Sequence, residues 1–467
     1  MKGRKQKISS DSCPHDNRAE LENTVGVQTF IWINETDYTE GIADIGLLEQ
    51  IVSPSNLSRA YRQVVGNQGS SGIDKMEVEE LKSYFIANKT TLIGSILAGK
   101  YRPLPVRRVA IPKDGGKKRE LGIPTVIDRL IQQAINQVLT PFYEQQFLSD
   151  SYGFRPKRSA HDALRKVQEY ADSGYIYAVD IDLEKYFDTV NRSKLIEILS
   201  RTIRDGRVIS LIHKFLNSGV MVGGRFEESV KGVPQGSPLS PLLGNIMLHE
   251  LDKELNRRGH KFVRYADDLL ILCKSLRSAE RTLTNTVSFI ERKLHLRVNL
   301  TKTTVAYVSK IKFLGYTFYK RNGQFRLRVH PSSWEKMKTR IREITSRSNG
   351  KGDLWRKSNL RYYIRGWLNY FRLADIKGML SKLDAWYRCR LRMVIWKQWK
   401  RSKTRFANLK RLGVVSREAA WAFAHTRKGY WHTAHSLILS TTITNERLQR
   451  AGYIFFSDYY KKVAPLD

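Results

Sequence analysis

Cysteine is scarce in this 467-residue chain: Cys13, Cys273 and Cys389 stand far apart, and no two are spaced C-x-x-C. That excludes a disulfide framework and makes a structural zinc module improbable; it fits a reduced compartment. Long apolar runs are missing as well. No segment reaches the roughly 18 apolar residues that a membrane span requires. The basic start, Met1-Lys2-Gly3-Arg4-Lys5-Gln6-Lys7, is not followed by the apolar core of a secretory signal, so an intracellular protein is expected. Acidic residues are the third shortage: 45 Asp/Glu face 81 Lys/Arg, a formal charge of +36. The favoured partner of such a surface is a polyanion, with nucleic acid ahead of a membrane.

What is present is unevenly distributed. Residues 331–467 carry 30 Lys/Arg against 9 Asp/Glu and eight of the nine Trp, so the densest polyanion grip lies in the C-terminal third. Aromatic faces among Arg and Lys can stack on bases or fill a core, and for any single Trp the core is the better expectation. The length implies two to four domains at roughly 150 residues each. Residues 1–45 are polar and aperiodic and read as a variable leader, with Cys13 and His15 too isolated for a metal site. Helical spacing begins near Leu47. Val106–Ile111 and Glu120–Ile123 read as strands of a hairpin with a basic loop, and Ile127–Leu139 as a helix. Tyr175–Leu183 reads as a strand, Arg192–Leu199 and Val208–Asn217 as helices, and Leu239–Leu255 as a long helix. A further hairpin turns at Asn322-Gly323. Residues 333–400 look helical and basic, and 401–467 look less regular. This mixture implies an α+β catalytic domain.

Chemistry concentrates in two acidic segments. In Tyr265-Ala266-Asp267-Asp268, two apolar runs flank a polar turn, the pattern of a hairpin with its acids at the tip. Adjacent carboxylates repel, and a divalent cation removes the conflict. In Val179-Asp180-Ile181-Asp182, the period of two puts Asp180 and Asp182 on one strand face, and spacing leaves either one a candidate ligand. Phosphoryl transfer without a protein nucleophile uses two Mg²⁺ ions about 3.5–4 Å apart. Mg²⁺ needs only a few carboxylates, so three Asp on neighbouring strands suffice.

Asp182-Leu-Glu-Lys-Tyr-Phe187, Gly232-Val-Pro-Gln-Gly-Ser-Pro-Leu-Ser-Pro241 and Tyr265-Ala-Asp-Asp268 stand in the order and spacing of reverse transcriptases. Ile111-Pro-Lys113 with Arg119, Leu121-Gly-Ile-Pro-Thr125, Asp150-Ser-Tyr-Gly-Phe-Arg-Pro156, Phe313-Leu-Gly-Tyr316 and Ile364-Arg-Gly-Trp-Leu-Asn-Tyr-Phe371 narrow this. From about residue 50 onward, the chain resembles the bacterial group II intron-encoded reverse transcriptase/maturases.

The resemblance implies a right-hand polymerase fold with fingers, a palm with an antiparallel sheet and a helical thumb, plus a basic C-terminal DNA-binding region. The expected divisions are a leader (1–45), N-terminal extension and fingers (46–170), palm (171–320), thumb or maturase X domain (321–400) and DNA-binding tail (401–467). It selects Asp182 over Asp180, because the family's aspartate lies five residues before an aromatic. Asp182, Asp267 and Asp268 become the ligands of two Mg²⁺ ions, with the Leu183 carbonyl. Phe187 becomes a steric gate against the 2′-hydroxyl. Lys113 and Arg119 would hold the triphosphate of a deoxynucleotide, Gln235 would border the base pair, and Gly236 would let backbone approach nucleic acid closely. Lys302 would neutralise or protonate pyrophosphate, and small Ala266 would leave room for the primer end.

Arg361 and Arg365, with Arg388 and Arg392, would track the RNA backbone, while Arg427-Lys-Gly-Tyr-Trp431 resembles the family's DNA-binding region. Implied partners are the intron RNA, target DNA and deoxynucleoside triphosphates, in a bacterial cytoplasmic ribonucleoprotein. Without the zinc-linked nuclease of many relatives, the resemblance is to the endonuclease-lacking, class C-like kind. Two alternatives are a free-standing reverse transcriptase of a defence or retron-type system and a splicing maturase without polymerase activity.

Overall fold

The computed structural model describes residues 46–112, 118–228, 232–414 and 416–464. Contacts divide the chain into two compact units, residues 1–306 and 307–467. Both strands of the Asn322-Gly323 hairpin fall in the second unit, with the C-terminal helices.

In the first unit, strands β1 (Val106–Pro112) and β2 (Lys118–Ile123) form the expected antiparallel hairpin, with Ile111 opposite Arg119. Lys113, in the connecting loop, lies outside the described residues. After β3 (Tyr177–Ile181) comes a short hairpin that the sequence reading passed over, β4 (Val220–Val222) and β5 (Arg225–Glu227). It extends the β1–β2 sheet in the order β2-β1-β4-β5. A second sheet, in the order β6-β7-β3-β8, contains β6 (Lys261–Tyr265), β7 (Asp268–Cys273) and β8 (Thr304–Tyr307).

Strand β7 lies inside this sheet, and Leu269, Leu270, Ile271, Leu272 and Cys273 are all buried. That explains a continuous apolar run where a half-exposed strand would alternate. Helices cover the sheet's apolar residues. Helix Val126–Glu144 starts on a Thr125 cap, and helix Ala160–Asp172 starts on a Ser159–Asp162 capping box. Ser240–Arg257 is the long helix expected after Pro238, and it buries twelve residues along its length.

The second unit opens with the hairpin β9 (Tyr316–Arg321) and β10 (Gln324–Val329), in which Asn322 and Gly323 both take positive φ. Helices Pro331–Ile344, Asp353–Tyr370 and Lys377–Gln398 follow. The less regular tail expected over 401–467 is a run of six short helices from Ser402–Arg411 to Phe456–Val463. The last of them is fixed by buried Asp384, which accepts the backbone N–H groups of Phe456 and Ser457, each at 2.9 Å.

Candidate active site and nucleic-acid interface

The tip of the acidic hairpin is held from behind. Tyr265 pairs with Asp268, which leaves Ala266 and Asp267 as a two-residue turn, and Ala266 is left-handed at φ 57°. For a residue with a Cβ that backbone costs about 1–2 kcal/mol and persists only when its surroundings fix it. Arg264, fully buried on β6, supplies the fixing contact by donating through Nη1 to the Ala266 carbonyl at 3.0 Å. The same guanidinium donates to both oxygens of buried Asp252 (2.7 and 2.5 Å), to Asn245 Oδ1 and to Ser151 Oγ.

Residues 150–153 run alongside. Arg264 N–H donates to the Asp150 carbonyl, Tyr152 N–H to that of Arg264, and Asn245 Nδ2 to that of Gly153. Gly153 lies so close that an added Cβ would sit 2.1 Å from Ala266 N. The Ser-Tyr-Gly-Phe-Arg segment is therefore the bed of the hairpin. Its own Arg155 is locked to Glu144 and to the carbonyls of Leu148 and Ser151.

The register of β3 against β7, Ile181 opposite Leu269, carries Asp182 on to the level of Asp268, beside the turn that holds Asp267. Asp180 shares the face of Asp182. Burial first, then the charges of Asp268 and Asp182, push its carboxyl up to about 7. Beyond β3 the chain is fixed by Asn299 N–H donating to the Asp182 carbonyl (2.8 Å) and by a bridge between Leu183 and Val298. Lys302 Nζ lies 3.2 Å from Asp182 Oδ2. Among the described residues, no three acidic, histidine or cysteine side chains already converge as a closed cage. The face instead presents like-charged carboxylates, one of them met by an ammonium. That donor set suits a hard cation with oxygen ligands and explains why Asp180 resists ionisation.

Phe187 stands on the one-turn helix Tyr186–Thr189, entered through left-handed Lys185. The buried Tyr186 hydroxyl donates to the Gly244 carbonyl at 2.7 Å, and the two rings meet edge-on at 5.1 Å. The Gly-Val-Pro-Gln-Gly loop is tied to this helix, with Val233 N–H donating to the Phe187 carbonyl and Arg192 Nε to that of Gly232. It is also tied to β2. Gly122 N–H donates to the Gln235 carbonyl, and Gly236, at φ 111°, faces the Gly122 carbonyl, which a Cβ would approach to 3.0 Å. The fold alone thus accounts for glycine at 236. Phe187, Gln235, Gly122 and Arg108 border one cavity of about 220 Å³, whereas Asp182, Asp267, Asp268 and Arg119 do not line it. Arg119 is exposed on β2.

In the second unit, Arg361 and Arg365 are exposed one turn apart on Asp353–Tyr370, around Tyr362, which is 78% exposed. Arg365 also covers the Tyr459 ring. Trp367 is core, against Trp334 and Phe456. Arg388 is half-buried over Phe455. Arg392 departs from expectation: it is only 7% exposed and donates through Nε to the Ile443 carbonyl at 3.0 Å, so it is not on an open RNA-facing surface. Helical periodicity gave its neighbourhood a basic face but could not reveal the segment that folds over it.

Residues 111–318 match the reverse transcriptase (RNA-dependent DNA polymerase) family, and residues 334–413 match the group II intron maturase-specific domain. The chain is 32% identical over 320 residues to Protein YkfC of Escherichia coli K12, across 60% of this chain and 84% of that one. It is 30% identical over 363 residues to the group II intron-encoded protein LtrA of Lactococcus lactis, covering 62% of this chain and 60% of LtrA. The chain is a group II intron-type reverse transcriptase. Among solved structures, a partial Cas6-RT-Cas1--Cas2 complex aligns at 26% identity over 53% of this chain and 43% of that one, with a TM-score of 0.35.

For this reverse transcriptase, sequence reasoning missed the group behind the site: Arg264, Asp252, Asn245 and Gly153. The one available signal was an arginine inside the apolar strand Lys-Phe-Val-Arg-Tyr, and a charge there requires a buried partner. Arg264→Ala would strand Asp252 without its counterion, so we expect a loss of about 3–5 kcal/mol in denaturant unfolding, well beyond an exposed arginine. Asp180 gives a pH signature. Its folded carboxyl keeps a proton up to about 7, whereas the unfolded chain releases it near about 4. This group's contribution to stability is therefore lost as pH rises through that window. In metal-free buffer, Asp180→Asn should flatten the decline of melting temperature between about pH 5 and 8; a decline parallel to the parent's would reject the assignment.

Proposed function

We propose that this enzyme copies group II intron RNA into DNA at the face shared by Asp182, Asp267 and Asp268, and that its basic C-terminal unit binds the same RNA to assist splicing and later meets target DNA. The observation that carries this reading is the β3–β7 register, which puts Asp182 level with Asp268 beside the Asp267 turn. Those three carboxylates, with the Leu183 carbonyl, would hold two Mg²⁺ ions. When bound, such ions acidify the primer 3′-hydroxyl and neutralise the departing pyrophosphate.

The protein's own groups do the rest. Lys302, which pairs with Asp182, would turn to the pyrophosphate once the carboxylate has another cation. Arg119 and Lys113 would grip the triphosphate, and Phe187 would occupy the space of a 2′-hydroxyl. Gln235, anchored by its carbonyl to β2, would border the templating pair. The match of residues 334–413 to the maturase-specific domain favours this reading over a free-standing polymerase. The acids kept at 182, 267 and 268 favour it over a maturase that has lost copying. Among the described residues, no helix is long and apolar enough to cross a membrane; the proposed setting is a cytoplasmic ribonucleoprotein.

On poly(rA)/oligo(dT) with dTTP and Mg²⁺, the protein should extend the primer. Asp267→Asn should cut the rate by about 10³-fold, since losing a metal ligand removes several kcal/mol of charge stabilisation. Its RNA binding should survive, and full activity would refute the metal assignment. Phe187→Ala should raise ribonucleotide incorporation relative to deoxynucleotide, read as the ratio of kcat/KM values; an unchanged ratio would remove the gate.

A further inference from the structure

The second unit holds a recess that the polymerase reading leaves unused. About 430 Å³ of space lies between helix Lys377–Gln398 and the segment from Ala434 to Glu446, lined by Arg388, Cys389 and Arg392 on one side and by His435, Asn445 and Glu446 on the other. That volume is in the range of small-ligand sites, roughly 300–1,000 Å³.

Arg392 is its most informative wall. The side chain is more than nine-tenths buried, yet the groups that meet it are neutral: the Ile443 carbonyl, Asn445 Oδ1 and the Cys389 side chain. No carboxylate among the described residues lies within ion-pair distance of Arg392 or Arg388. Buried charges are ordinarily paired, so a buried guanidinium facing a recess without a counterion calls for an anion from outside.

The opposite wall is of another kind. His435 and Asn445 are exposed polar groups, and the His435 Nδ1 proton is committed to the Trp431 carbonyl at 2.8 Å. Its ring meets Trp431 at 4.5 Å, and Arg390 covers the other ring of this pair. Glu446, also exposed, would repel a bare anion but accepts hydrogen bonds from a base edge that donates. A phosphate side facing an acceptor-bearing, aromatic side describes a single nucleotide more closely than a continuous backbone, since unstacked bases are read by stacking and edge hydrogen bonds.

We propose that this recess holds one unstacked guanine nucleotide of a single-stranded or bulged nucleic acid, with its phosphate on Arg388 and Arg392 and its donor edge on Glu446. This rests on reading the second unit as a nucleic-acid binder.

Cys389 lines the recess and reports on it directly. In the full-length protein with EDTA, alkylation of Cys389 by N-ethylmaleimide would be followed by peptide mass spectrometry with GMP, UMP or inorganic phosphate present. GMP at ten times its Kd should slow alkylation about tenfold by simple occupancy. UMP and phosphate at the same concentration should slow it clearly less. Arg388→Gln should abolish protection by GMP, and Glu446→Gln should bring GMP and UMP together, each with an unchanged thermal melt. Equal protection by UMP and GMP in the parent would overturn base reading, and no protection by any of them would overturn the recess. Primer extension measured on the same preparation separates the two readings: extension without protection rejects only the recess, and protection without extension rejects only the polymerase.

Discussion

The catalytic end of this molecule depends on one buried ion pair. Arg264 and Asp252 carry full charges into a site with almost no solvent, an arrangement tolerable only because every donor on the guanidinium finds an acceptor. The benefit is positional. One planar group reaches the long helix Ser240–Arg257, the Asp150–Gly153 segment and the carbonyl of Ala266. The left-handed turn that aims Asp267 is thus over-determined by three separate stretches of chain. An apolar side chain of the same size could fill the space but could not hold a carbonyl in place.

The second constraint is electrostatic and works against the first. Folding gathers Asp180, Asp182 and Asp268 on one sheet face, where Lys302 meets the Asp182 carboxylate. A protein with an excess of 36 positive charges nevertheless concentrates negative charge at one place. A divalent cation would relieve that conflict, and the positive charge of the chain as a whole favours a polyanion as its partner.

Much of this was legible in the chain itself. The acidic hairpin could be read because two apolar runs flank a short polar turn, and the β1–β2 and β9–β10 hairpins carry similar signals. The choice between Asp180 and Asp182 could not be made from alternation, which puts both on one face; it came from the resemblance, in which the family's aspartate stands five residues before an aromatic. Register between β3 and β7 was beyond reach, since the 87 residues between Ile181 and Leu269 leave pairing to tertiary packing. That Arg392 is buried and not on an open face could not be read, because periodicity describes a helix and says nothing of what covers it. The C-terminal helices read as less regular chain because five of the six have no more than eight residues, too few for an amphipathic pattern to emerge, and the sixth, Ser402–Arg411, has ten and no side-chain cap.

The tie between Gly122 and the Gln235–Gly236 loop has a mechanical consequence. Strand β2 gives the Gly122 N–H to the Gln235 carbonyl, and the Gly122 carbonyl lies where a side chain on residue 236 would have to stand, so the two segments run in close apposition. A shift of the β1–β2 hairpin would be passed, through one peptide unit, to Gln235, the side chain proposed to border the templating pair. Capture of the nucleotide and inspection of its fit would then be one movement.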